Sequence, residues 1–326
     1  MTNNIKLLST GGTIASTQSE DNRSKSGELT GQDLVGKLCL PSTINVHTES
    51  VFQKPSNALT FNDILSLREK ILAIDKEKKH TGIVITHGTD TLEDTAFFLQ
   101  ASLPPLDTVV VITGSQRAPQ LEGTDAYKNL MAAIIAASSE KLKKLGVLVV
   151  FNDSIYSANH IRKVNSFQVN GFDSPGFGHL GYVSESNVHL LQRPELPQPF
   201  TPVTALPRVD IIVGCLEASP QQLISSAESG ARGIILEGIG KGHVPPSWIP
   251  VVEKLVKEGV KFAVVTGSLM GSLEPTYDFN GCLKDLLDLG VIPVSDMSAR
   301  KARIRLMLAL ASADVEQSLL TMEISR

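Results

Sequence analysis

The sequence has few cysteines, few aromatic residues, no marked excess of charge of either sign and no long apolar run. Its three cysteines in 326 residues (Cys39, Cys215, Cys282) are odd in number and lack C-x-x-C spacing, which excludes a disulfide framework and a thiolate zinc site. Lysine plus arginine number 30 against 34 aspartate plus glutamate, so the basic excess of a non-specific nucleic-acid binder is missing. No segment reaches the roughly 18 uninterrupted apolar residues that a membrane helix needs; the most apolar stretches, 130–137 and 146–151, are core-sized. The opening MTNNIKLLSTGG shows no basic stretch leading into a long apolar one, so no secretory leader is expected. Charged residues make up only 20% and apolar ones 42%, which argues against disorder and supplies ordinary cores. The expectation is a soluble, reduced, cytoplasmic protein of about two domains, at roughly 150 residues each.

Short runs rich in Val and Ile recur at 5–9, 83–86, 109–113, 147–151, 209–213, 233–236 and 262–266, each ending at small or polar residues. Continuous apolarity of this kind marks strands buried on both faces, as in parallel sheets. Helical spacing lies between them. Thr60 can cap a helix carrying Phe61, Ile64 and Leu65 on one face, with Asp63 in its first turn. Tyr127, Leu130, Met131, Ile134 and Ile135 share one helical face, and Ser298 can cap a last long helix through Leu310. Strands alternating with helices predict an α/β fold. The composition shifts at 193–208, RPELPQPFTPVTALPR, which holds five of the 17 prolines. Proline removes amide donors and fixes φ, so this stretch reads as an extended linker. The expected layout is a larger N-terminal domain over 1–191, a linker over 192–208 and a smaller α/β domain over 209–326. The N-terminal domain would carry a doubly wound, mostly parallel sheet.

Two segments carry the chemistry. Ser9-Thr10-Gly11-Gly12-Thr13-Ile14-Ala15 follows the first strand, and its glycines let backbone approach a ligand while Thr13 offers a hydroxyl above the sheet. Neither G-x-G-x-x-G nor a Walker-type loop is present, which disfavours a nucleotide. Thr86-His87-Gly88-Thr89-Asp90-Thr91-Leu92-Glu93-Asp94 leaves another strand and enters a helix, with Asp90 or Thr91 as its cap. A helix start supplies amides suited to a carboxylate or an oxyanion. His87 has no second His or Cys at metal-ligand spacing and is expected to pack behind the loop. Each loop alone also fits a plain strand exit or a well-capped helix. Together they place two threonine hydroxyls at the carboxyl ends of strands, where open parallel sheets bind ligands. A threonine is a weak nucleophile until a base takes its proton. That base can be a lysine neutralised by burial, for which Lys163 in Ile161-Arg162-Lys163-Val164-Asn165-Ser166 is a candidate, or a tyrosine wired to a carboxylate.

TGGTIA, ITHGTDT and an ND followed by a K-x-N segment resemble the bacterial-type L-asparaginase family. The likeness runs on through Thr113-Gly114-Ser115, Leu180-Gly181-Tyr182, the glycine-spaced segment 238–242 and Lys301-Ala302-Arg303, and so spans almost the whole chain. The resemblance implies that Thr13 is the nucleophile and that Thr89, Asp90 and Lys163 form a second catalytic group, with Asp90 also holding the substrate's α-ammonium. It implies that Ser56 and Asn57 bind the α-carboxylate and that the Ser115 main-chain carbonyl faces the leaving amide. Glu274 matches a carboxylate that reaches into a partner subunit's site, and His243 matches a position usually held by asparagine. The implied activity is hydrolysis of L-asparagine to L-aspartate and ammonia through an acyl-enzyme, with no metal and no cofactor. The implied assembly is a homodimer or homotetramer with shared active sites, without nucleic acid or membrane as partner. A glutaminase-asparaginase of broader specificity is the near alternative, one methylene away; a non-catalytic amino-acid-binding α/β protein is the distant one. In one place the chain departs from the family pattern. The loop at 16–28 lacks the tyrosine often found there, no tyrosine precedes Tyr127, and Tyr277, three residues beyond Glu274, is the candidate replacement.

Overall fold

The computed structural model describes residues 2–18, 24, 25, 28–203 and 205–322. Of the loop that lacks the family tyrosine, residues 19–23, 26 and 27 lie outside the described set. The chain divides into two compact units, Met1–Gln198 and Pro199–Arg326.

The first unit begins with β1 (Asn3–Gly11), a small ribbon of β2 (Thr17–Gln18) and β3 (Ser24–Lys25), α1 (Gly31–Val35) and β4 (Ile44–Lys54). It continues with α2 (Phe61–Glu77), β5 (Gly82–Thr86), α3 (Leu92–Ser102), β6 (Val109–Thr113), α4 (Ala126–Ala137) and β7 (Val147–Phe151). It closes with β8 (Ser154–Ser157), the paired β9 (Arg162–Lys163) and β10 (Phe172–Asp173), and the hairpin of β11 (Gly181–Ser184) and β12 (Asn187–Leu190). Every residue of β5, β6 and β7 is buried, which is why they read as apolar runs, ending at Thr86 and Thr113 in the first two. The capping box foreseen at Thr60 is present: its hydroxyl accepts the Asp63 N–H, and the Asp63 carboxylate accepts the Thr60 N–H.

Eight strands form one sheet in the order β12-β11-β8-β7-β6-β5-β1-β4. The pairs among β4, β1, β5, β6 and β7 are parallel, and the outer pairs from β7 to β12 are antiparallel. After β1 the chain crosses to β4 on one side and then returns to β5 on the other. The topology therefore switches between β1 and β5, where an open α/β sheet forms its ligand crevice. Register aligns the strand ends there, with Ser9 opposite both Ser50 and Thr86, and Thr86 opposite Thr113. Both threonine-bearing loops leave the sheet at this switch.

The second unit holds β13 (Val209–Val213), α5 (Gln221–Glu228), β14 (Gly233–Gly238), α6 (Ile249–Lys257), β15 (Lys261–Thr266), α7 (Leu283–Asp288), β16 (Ile292–Pro293), α8 (Ala299–Leu310) and α9 (Val315–Leu320). Its four-stranded sheet, β13-β14-β15-β16, is parallel throughout. Trp248 is fully buried in its core and donates its indole N–H to the Ala218 carbonyl at 2.8 Å, so its one polar atom is satisfied. Ser298 caps α8 by accepting the Lys301 N–H, as its sequence position implies. Among the described residues, no helix is long and apolar enough to cross a membrane.

Candidate active site

The two loops at the switch meet backbone to backbone. Gly12 has φ 83° and ψ −177°, a conformation open in practice only to glycine. A β-carbon on Gly12 would lie 2.4 Å from both Cα and N of Gly88, and one on Gly88 would lie 2.7 Å from Ser56 Oγ. The glycines at these two places permit the contact. Beside it, the Thr10 hydroxyl donates to the Thr86 carbonyl at 2.8 Å and ties the ends of β1 and β5 together. Thr13–Ala15 then make a single 3₁₀ turn, steadied by Ser16 Oγ donating to the Gly12 carbonyl at 3.0 Å, and Thr13 is left half-buried.

On the second loop, His87 is wholly buried. Its Nδ1 bonds the Gly88 carbonyl at 2.8 Å, so Nδ1 carries the proton and Nε2 accepts from the Thr95 hydroxyl at 2.9 Å. Desolvation lowers its pKa to about 4, and the ring is a neutral support behind the loop, as expected from sequence. Thr91 stands at the cap position of α3, but its hydroxyl is used elsewhere: it donates to the Ser56 carbonyl at 2.8 Å. That bond fastens the short turn Ser56–Ala58 to the loop, with Ser56 buried and Asn57 exposed.

Lys163 reaches this loop from β9. Its ammonium donates to Thr89 Oγ1 and to Asp90 Oδ1, both at 2.8 Å. The Lys163 side chain is only 16% exposed and Asp90 is 70% exposed, so the lysine head is largely shielded while its carboxylate partner stays open to solvent and to a cationic ligand. A hydroxyl that accepts from an ammonium is polarised and becomes a stronger donor through its own proton. Thr89, Asp90 and Lys163 are thus one hydrogen-bonded group, adjoining the loop that carries Thr13.

Ser115 follows β6 and is completely buried, its hydroxyl donating to the Arg117 carbonyl at 2.8 Å. The neighbouring Gly114 packs against the His87 carbonyl and Thr89 Cγ2. Two carboxylates that sequence reasoning missed support this framework. Asp125 accepts the N–H groups of Gln116 and Arg117 at 2.9 and 3.0 Å, which fixes the peptide plane after Ser115. Glu93 accepts the main-chain N–H of Lys163 at 2.7 Å. Asp125 precedes α4 and Glu93 lies in the first turn of α3, so from sequence both read as helix-start residues.

His243, Glu274 and Tyr277 are neighbours in the second unit. A tight turn bridges Ile239 and His243, and His243 Nδ1 accepts the Leu283 N–H at 3.2 Å. Desolvation and the nearby Lys241 hold His243 below the usual histidine range. The His243 ring meets the Tyr277 ring edge-on at 5.3 Å and the Phe279 ring at 5.0 Å. Lys241, from the glycine-spaced segment, pairs with Glu274 at 2.6 Å and lies 5.9 Å from the Tyr277 ring centre. The hydrogen bond from Lys241 lowers the Glu274 pKa and keeps it a carboxylate. Lys241 is a further residue that sequence reasoning passed over, although it stands inside a segment already singled out.

An α/β chain with a hydroxyl–ammonium–carboxylate group at the switch point of a parallel sheet is built for polar chemistry on a small ligand. The family described as asparaginase, N-terminal, matches residues 4–196, and that described as glutaminase/asparaginase C-terminal domain matches residues 208–321. The chain is 37% identical over 312 residues to the L-asparaginase of Bacillus licheniformis, across 96% of this chain and 97% of that protein. It is 32% identical over 317 residues to a probable periplasmic L-asparaginase of Haemophilus influenzae, across 94% and 88%. A crystal structure of a probable cytoplasmic L-asparaginase from Campylobacter jejuni superposes with a TM-score of 0.86 at 30% identity, covering 98% of this chain and 99% of that one. This chain belongs to the asparaginase family.

Proposed function

We propose that the protein hydrolyses L-asparagine to L-aspartate and ammonia. The observation that carries this reading is the Thr89–Lys163–Asp90 group, held by two 2.8 Å bonds next to the Thr13 loop at the sheet's switch point. In the reaction, Thr13 Oγ bonds to the side-chain amide carbon, the C–N bond breaks, and the nitrogen takes a proton and leaves as ammonia. Water then cleaves the acyl-threonine ester, which releases aspartate and restores the hydroxyl. The Thr89–Lys163–Asp90 group relays protons, and Asp90, the exposed member, receives the α-ammonium. Ser56 and Asn57 take the α-carboxylate, and the Ser115 carbonyl takes the leaving amide. Tyr277, of the same or the adjacent subunit, supplies the proton acceptor for Thr13 that the N-terminal loop lacks.

The proposal extends to assembly and location. Glu274, with His243 beside it, serves the site of a second copy, so the enzyme is at least a two-fold dimer. A cytoplasmic location accords with three unpaired cysteines, two of them exposed.

Ammonia release from L-asparagine and L-glutamine by the purified protein tests the activity and separates it from a broader glutaminase-asparaginase. Thr13→Ala and Thr89→Val are each expected to lower kcat by several orders of magnitude with circular dichroism unchanged. Either variant keeping more than about a tenth of wild-type kcat would remove the role given to that residue.

A further inference from the structure

One short segment grips Lys163 at both ends. Its ammonium is held by Thr89 and Asp90, and its main-chain N–H by Glu93 Oε2 at 2.7 Å across 70 positions of sequence. Thr89, Asp90 and Glu93 all sit in the loop and first turn of α3, whereas Lys163 sits on β9. That strand is two residues long and, among the described residues, pairs only with the equally short β10, outside the eight-stranded sheet. So small a ribbon has little stiffness of its own.

Glu93 is only 4% exposed. A carboxylate in the first turn of a helix usually faces water, where the helix dipole favours it. Burying one is costly unless hydrogen bonds compensate. One of the bonds made by this carboxylate goes to the backbone of the residue whose side chain completes the relay. A lysine has a long, freely rotating stem, and its head finds one place repeatedly only if its root is fixed. The Glu93 bond fixes that root relative to the same helix start that carries Thr89 and Asp90.

We propose that Glu93 is a positioning residue for the reaction: its buried carboxylate anchors the Lys163 main chain, so that the lysine ammonium stays on Thr89 and Asp90. The proposal rests on the reading of Lys163 as part of the proton relay. It makes no claim that Glu93 touches substrate.

The test uses the full chain and ammonia release from L-asparagine, with Glu93→Ala, Glu93→Gln, Lys163→Met and the double variant Glu93→Ala/Lys163→Met. Glu93→Ala is expected to lower kcat at least about tenfold with KM within about threefold, since misplacing a reacting group by about 1 Å is worth that and more. Glutamine keeps an acceptor oxygen and is expected to restore kcat to within about threefold of wild type. In the Lys163→Met background, Glu93→Ala should change the residual rate, read at high enzyme concentration over long incubation, by less than about twofold, because a residue acting only through Lys163 has nothing left to position. If alanine leaves too large a hole for folding, Glu93→Met, of similar length and without an acceptor oxygen, takes its place.

Three results would overturn the proposal: unchanged kcat in Glu93→Ala, glutamine as poor as alanine, or the same proportional loss in both backgrounds, which marks a merely structural role. A fully active Lys163→Met would instead remove the reading of Lys163 on which the proposal stands. A silent Glu93→Ala beside an inactive Lys163→Met sinks the proposal alone.

Discussion

Replacing Gly12 or Gly88 by alanine tests whether the site depends on the close passage of two loops. The two substitutions differ in what they disturb. Gly12 combines φ 83° and ψ −177° with an approach of 2.4 Å to Gly88, whereas Gly88 carries no positive φ and meets Ser56 at 2.7 Å. Backbone strain of that kind costs about 1–3 kcal/mol. Forcing a methyl into a filled space costs about 1–3 kcal/mol more. Gly12→Ala should therefore lose about 2–6 kcal/mol and Gly88→Ala about 1–3 kcal/mol. At about 2–4 °C per kcal/mol for a unit of this size, Tm should fall by roughly 4–24 °C and 2–12 °C. Gly230 and Gly259 provide the control, since each has positive φ and nothing within 4 Å of an added β-carbon. Alanine there should bring strain alone and leave kcat intact. Calorimetry and ammonia release on the four variants check the ranking. Gly12→Ala with Tm within about 1 °C of wild type and normal kcat would refute the argument, because a methyl at 2.4 Å cannot be absorbed without movement.

Two other outcomes follow from the buried groups. His87 titrates near 4 when folded and near 6.5 when unfolded, so between those pH values the unfolded chain binds the extra proton and stability falls as pH drops, by about 3 kcal/mol in all. Urea unfolding from pH 7 to 4.5 should show a shallower acid slope in His87→Gln, and parallel slopes would rule this out. Lys163→Met should lower kcat by several orders of magnitude, leaving only a residual rate, and Lys163→Arg should not restore it, because a guanidinium supplies charge but does not give up its proton. Full kcat in the arginine variant would reduce Lys163 to a source of positive field.

What the sequence discloses depends on whether the signal is local. β5, β6 and β7 are legible because burial on both faces leaves them apolar except for the terminal Thr86 and Thr113. β4 is not, because it lies at the sheet edge, half-exposed, with His47, Glu49 and Gln53 along it. β8, β11 and β12 are four residues each, too short for a period to register. Strand order is invisible in the sequence, yet it brings the Thr13 and Thr89 loops together. The carboxylates show the same limit within the site. Asp90 stands in a motif with its own signature, whereas Glu93 and Asp125 look like ordinary helix-start residues. Only the tertiary placement shows Glu93 aimed at Lys163 and Asp125 at the segment after Ser115.

The assignment of Tyr277 has the most to lose, since the ring has a structural explanation of its own. It is half-exposed, packs edge-on against His243 and at a tilt against Phe279, and has Lys241 over its face. All of those contacts are made by the ring, and none requires the phenol oxygen. Tyr277→Phe keeps the ring and deletes the hydroxyl, so a packing residue would not notice the change. A residue that takes the Thr13 proton would. An unassisted phenol is a weak base at neutral pH, and the groups that can assist this one are at hand in Lys241 and Glu274, paired at 2.6 Å in the same cluster. The expected result is a kcat at least about 100-fold lower, the low end for loss of a proton-transfer group, with Tm unchanged. Lys241→Met should then lower kcat in the wild-type background and have little further effect once the hydroxyl is gone. A Tyr277→Phe enzyme within about threefold of wild-type kcat would return the ring to packing and pass the proton-accepting role to Lys163 or to a bound water.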